Sequence, residues 1–148
     1  MPTTHEATAT WRGDLNGGKG DVSTKSGALK KAATSWNERT EGTGSAGATS
    51  PEELLAAAHA SCYSMALSAR LAKAGVTDPN ITVTAKVTFG PVPAGGNGVT
   101  SSALTVRAQA PDGDAAKLKA LAEDAKENCP ISKALKGNVA LSVEVTPS

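Results

Sequence analysis

Residues 50–74, SPEELLAAAHASCYSMALSARLAKA, carry the strongest folding instruction in the chain, because both ends of one long helix are signalled. Ser50 can cap the start, Pro51 suits the first helical position, and Glu53 stands three residues after Ser50 as a capping box requires. Gly75 supplies the stop. The run also raises a question. Cys62, one of only two cysteines, lies far inside this helix, beyond the reach of the charges that open it.

After the helix the period changes from helical to two. ITVTAKVTF places Ile81, Val83, Ala85, Val87 and Phe89 on one face, and VTSSALTVRAQA follows after a Gly/Pro-rich loop, which predicts a hairpin. AAKLKALAEDAKEN has Leu118, Leu121, Ala122 and Ala125 at helical spacing, CPISKALKG reads as a second short helix, and NVALSVEVT closes the chain as an alternating strand. The first third is polar and Gly-rich, with β-compatible pieces at 8–12, 21–24 and 28–31, and TSWNERTEG as a segment that could close a sheet. Strands, long helix, hairpin, two helices and a strand make an α+β chain, expected to form antiparallel sheet. At 148 residues it is one domain's worth, long enough to bury roughly 70 % of its unfolded surface without a staple.

Fifteen basic and fourteen acidic residues are spread along the chain, for a formal charge of +1. This argues against a nucleic-acid or anionic-membrane partner. The N-terminal MPTTHEATATWRGD has no apolar run behind a basic segment, and no window approaches a membrane span, so a cytoplasmic location is expected. In a reducing compartment two cysteines point to chemistry or metal binding before they point to a staple.

Local motifs narrow the choice. GTGSAG at 42–47 satisfies G-x-G-x-x-G but lacks the preceding apolar strand of a dinucleotide site, and GGKGD lacks the Lys-Ser/Thr ending of a phosphate loop and reads as a turn. His59 and Cys62 share a helical face and, with Cys129, make a candidate metal set. Paired local ligands are missing from the second half, which favours a hydrogen-bonded structural His59. Cys129 precedes Pro130 at a helix start, where free N–H groups favour a thiolate, whereas Cys62 needs a cation brought from elsewhere. Two readings of the cysteines stay open at this level: buried small hydrophobes or a redox pair. Glu52 and Cys62, ten residues apart, are separated by roughly 15 Å on one straight helix. A two-fold copy crossing antiparallel near Ala57, where Ala56, Ala58 and Ala60 allow close approach, would bring Glu52 of one chain to Cys62 of the other.

SPEELLAAAHASCYSMALS and NCPISKAL, preceded by WRGDLNGGKGDVSTKSGAL and WNERTEG, resemble the osmotically inducible protein C and organic hydroperoxide resistance family of thiol-dependent peroxidases. The likeness covers most of the chain in order and is closer to the osmotically inducible branch. It implies antiparallel sheets packed around a long central helix in an intertwined homodimer. It further implies Cys62 as the thiol that attacks the peroxide, Cys129 as the resolving thiol that closes a disulfide with it, and Arg39 as the cation that lowers the thiol's pKa. Glu52 would hold that guanidinium in a bidentate pair. The implied substrate is an organic hydroperoxide, with hydrogen peroxide as a second candidate. The implied reductant is an external dithiol, either a lipoyl group or a thioredoxin-like donor, and no cofactor is implied. Thr40 stands where this branch often has an aromatic residue after the arginine. Two rival expectations remain: a binding module stapled by a structural Cys62–Cys129 bridge, and a metal protein using His59, Cys62 and Cys129.

Overall fold

A computed structural model describes residues 1–42 and 47–148, so most of the glycine motif at 42–47 lies outside the described residues. The chain divides into two compact units, Met1–Leu54 and Leu55–Ser148.

The first unit is built on a four-stranded sheet in the order β1-β2-β3-β4, with β1 at Ala7–Arg12, β2 at Lys19–Thr24, β3 at Ala32–Ser35 and β4 at Ala48–Thr49. The β1–β2 hairpin turns through GGKGD's neighbourhood as a loop organised by Asp14. Its carboxylate accepts the N–H groups of Gly17 and Asn16 at 2.8 and 3.0 Å, which hold the carboxyl below its ordinary pKa. Gly18 is required where the turn closes, because a Cβ there would collide with the Asp14 carbonyl oxygen.

Two expectations for this unit are corrected. Residues 28–31 form no strand: Thr24 donates its N–H to the Leu29 carbonyl, Leu29 donates back to the Thr24 hydroxyl, and Lys31 sits at φ 48°, so the segment turns and the strand begins at Ala32. The TSWNERTEG segment contributes only the end of β3 and then becomes helix α1, Trp36–Glu41. Its N-cap is Ser35, whose Oγ accepts the Glu38 N–H, and it ends at Gly42 in the left-handed region.

Helix α2 runs over Pro51–Lys73, as its end signals require. Ser50 Oγ accepts the Glu53 N–H at 3.1 Å, while the Glu53 carboxylate is taken by the Thr49 hydroxyl instead of completing the capping box. At the far end Val76 donates to Leu71 and Gly75 to Ala72, with Gly75 at φ 88°, a Schellman closure.

The second unit holds a three-stranded sheet, β5-β6-β7, with β5 at Ile81–Pro91, β6 at Asn97–Ala108 and β7 at Ala140–Pro147. The β5–β6 hairpin is antiparallel, as expected, and its side chains alternate between half-buried and exposed along β5. β7, in contrast, runs parallel to β6, and β4 runs parallel to β3, so both sheets are mixed. The cause for β7 is the pair of helices α3 (Ala115–Asn128) and α4 (Pro130–Leu135), which carry the chain back to the starting end of β6. Tyr63, Leu67 and Leu71 of α2 meet Leu104, Val106 and Ala108 of β6 and Leu118 and Ala125 of α3 in the core of this unit. Among the described residues no helix is long and apolar enough to cross a membrane.

Candidate active site

The sequence-nominated residues fall into two groups, each assembled within its own unit. In the first unit, α1 presents Arg39 to Glu52 in the opening turn of α2. Arg39 Nε lies 3.0 Å and Nη2 2.9 Å from the same oxygen, Oε1 of Glu52. The expected fork-to-fork pair is therefore replaced by two nitrogens converging on one oxygen. Glu52 is buried, 7 % exposed, and its Oε2 has no hydrogen-bond partner among the described residues. The Arg39 guanidinium also stands 5.8 Å from the centroid of the Trp36 ring, three residues earlier on the same helix.

Beside Arg39 opens an apolar cleft of about 410 Å³ whose walls include Trp11, Leu15, Val22, Trp36 and Leu54. The sequence reading overlooked it. Its one legible trace was WNER, in which an aromatic residue and a cation three apart share a helical face. The rest of the lining comes from β1, β2, the hairpin turn, the end of β3 and the first turn of α2, whose meeting only the fold creates.

In the second unit Cys62, half-buried on α2, and Cys129, buried between α3 and α4, are free thiols close enough to perturb one another. Burial raises the Cys62 pKa, the Ile131 backbone N–H directed at its sulfur opposes that rise, and the adjacent Cys129 thiol adds to it. The local electrostatic expectation meets a different geometry here. The N–H groups at the start of α4 were expected to serve Cys129, but its side chain makes no capping hydrogen bond, and one of those amides faces Cys62. A helix start can help a thiol far away in sequence when tertiary packing places it there.

His59 is completely buried, with Nδ1 2.7 Å from Ser102 Oγ and Nε2 2.8 Å from Ser132 Oγ. Both ring nitrogens are thus engaged by hydroxyls, in keeping with the structural reading of this residue. A metal ligand needs a free nitrogen lone pair, so His59 does not suit the metal set proposed with Cys62 and Cys129. Burial also lowers its pKa. Neither serine was singled out in the sequence, since nothing local marks a serine as the partner of a distant histidine.

A sequence profile described as OsmC-like protein matches residues 42–144. The chain is 42 % identical over 137 residues to the peroxiredoxin OsmC of Escherichia coli strain K12, covering 93 % of each chain. It is 34 % identical over 92 residues, 62 % of each chain, to the organic hydroperoxide resistance protein of Xanthomonas axonopodis pv. citri. Its fold is similar to the crystal structure of the organic hydroperoxide resistance protein OhrB of Bacillus subtilis, with a TM-score of 0.74 at 27 % identity over 95 % of this chain and 98 % of that one. With a family profile spanning most of its length, a relative at this identity over nearly all of it and an α+β fold to match, the chain belongs to the OsmC-like protein family.

Proposed function

We propose that the chain is a cysteine-based peroxidase of hydroperoxide defence, acting as one domain over its whole length. The observation that carries this reading is the meeting of two free thiols, Cys62 from mid-helix and Cys129 from a helix junction, in one partly buried place. The printed names of the relatives, peroxiredoxin and organic hydroperoxide resistance protein, support it.

In the proposed cycle the Cys62 thiolate attacks the terminal oxygen of an organic hydroperoxide. The O–O bond breaks, the alkoxide takes a proton and leaves as the alcohol, and Cys62 becomes a sulfenic acid. Cys129 sulfur then attacks the Cys62 sulfur, water departs and a disulfide forms. An external dithiol, lipoyl or thioredoxin-like, reduces the bridge and is itself oxidised to a disulfide. Arg39, oriented by Glu52, is assigned to the Cys62 thiolate and to the charge developing on the peroxide. An unaided thiol of pKa about 8.5 is only a few per cent ionised at pH 7, and a guanidinium in contact would lower that pKa by about 1–3 units. The apolar cleft beside Arg39 favours an organic hydroperoxide over hydrogen peroxide as substrate. A cytoplasmic homodimer is the proposed working form; exposed Ala57, Ala58, Ser61 and Met65 on α2 suit close approach by a second copy.

The test is a thiol count before and after one equivalent of cumene hydroperoxide, with peptide mapping of the product. Loss of both thiols into a Cys62–Cys129 bridge is expected, and none in Cys62→Ser. Undiminished peroxide turnover by Cys62→Ser would reject the assignment.

A further inference from the structure

The buried Ser102–His59–Ser132 triad lies in the second unit and takes no part in the proposed chemistry. Its placement is specific. His59 precedes Cys62 by three residues on α2, and Ser132 follows Cys129 by three residues and Ile131 by one on α4. The Nε2–Oγ contact of 2.8 Å therefore joins the helix turn before one thiol to the helix turn after the other. On its other side Nδ1, 2.7 Å from Ser102 Oγ, anchors the ring to β6. All three side chains are shut from solvent, at most 1 % exposed, so water cannot replace either bond.

We propose that His59 is a positioning residue for disulfide closure, a strut that holds α4 through Ser132 so that Cys129 and the Ile131 amide keep their places at the Cys62 sulfur. This rests on the proposed use of the two cysteines as a redox pair. The physical demand is strict. Closing a disulfide brings two sulfurs to about 2.05 Å with a fixed dihedral, and a displacement of about 1 Å in a reacting group can cost on the order of 100-fold in rate. Helix α4 has only six residues and no side-chain cap at its start, so its own hydrogen bonds fix its position weakly. The imidazole supplies what the helix lacks: a rigid side chain of the right length, bonded at both ends.

The ring's two bonds can be separated by substitution. Glutamine places an amide near the Nε2 position and retains the reach to Ser132, whereas asparagine places one near Nδ1 and retains only Ser102. Stopped-flow oxidation of the full-length protein with one equivalent of cumene hydroperoxide, with dimedone trapping of the sulfenic acid, separates its formation from its condensation with Cys129. His59→Asn and Ser132→Ala should slow condensation on the order of tenfold or more, with the sulfenic acid correspondingly longer lived. His59→Gln and Ser102→Ala should condense within about twofold of the parent, although each loses a comparable buried bond. Melting temperatures are recorded for all four variants. Condensation rates that simply follow melting temperature, or that do not differ between the Asn and Gln variants, would overturn the strut. Failure of the unmodified protein to form a Cys62–Cys129 bridge would instead reject the redox-pair reading beneath it.

Discussion

Two nitrogens of Arg39 converge on a single oxygen of Glu52, leaving the second carboxylate oxygen buried and unpartnered among the described residues. The pair is also lopsided in burial, since the arginine side chain is 33 % exposed and the glutamate 8 %. Removing either member therefore has unequal consequences. Arg39→Ala strands a buried carboxylate and should destabilise the protein by about 3 kcal/mol. Glu52→Gln leaves a guanidinium that water can reach and should cost about 1 kcal/mol. Urea denaturation of both variants measures the difference, and equal losses would contradict the burial asymmetry.

The same arginine borders the apolar cleft, where Leu15 is 56 % exposed and can be changed with little effect on folding. Leu15→Asp should raise KM for cumene hydroperoxide by about tenfold while leaving that for hydrogen peroxide nearly unchanged, because only the bulky apolar group needs the wall. Parallel shifts for both peroxides would remove the cleft from substrate selection.

Cys129→Ser should permit one oxidation of Cys62 per subunit and then stall, since the sulfenic acid has no neighbour with which to condense. Mass spectrometry of the oxidised variant should find a sulfenic acid or its dimedone adduct at Cys62 in place of a bridge. Sustained turnover with a dithiol donor at the parent's rate would show that Cys129 is not the resolving thiol.

Burial of His59 lowers its pKa in the folded protein below the ordinary 6.5, so the unfolded chain binds the extra proton first. The histidine's contribution to stability is then fully present above about pH 6.5 and is lost as pH falls through its depressed folded value. The melting temperature of the parent should fall over that range, and His59→Gln, which has no imidazole to protonate, should show a flatter profile. Superimposable pH profiles for the two proteins would be evidence that His59 is not the group responsible.

Much of this protein was legible in order along the chain. Ser50, Pro51 and Gly75 delimit a helix through local hydrogen bonds and backbone preferences, and the alternation from Ile81 to Phe89 fixes which side of its strand is covered, so residue types alone determine those elements. Cys62 and Cys129 stood out by residue type and local setting, whereas Arg39 and its pairing with Glu52 were implied by the family resemblance. Local signals failed where a partner is distant. The direction of β7 beside β6 depends on how two intervening helices return the chain, and alternation reads the same in either direction. Which thiol faces the start of α4, which oxygen of Glu52 receives Arg39, and which hydroxyls engage His59 were decided by tertiary packing. Hydrogen bonds and charges act over a few ångströms, and only the folded backbone brings residues 59, 102 and 132 within that range.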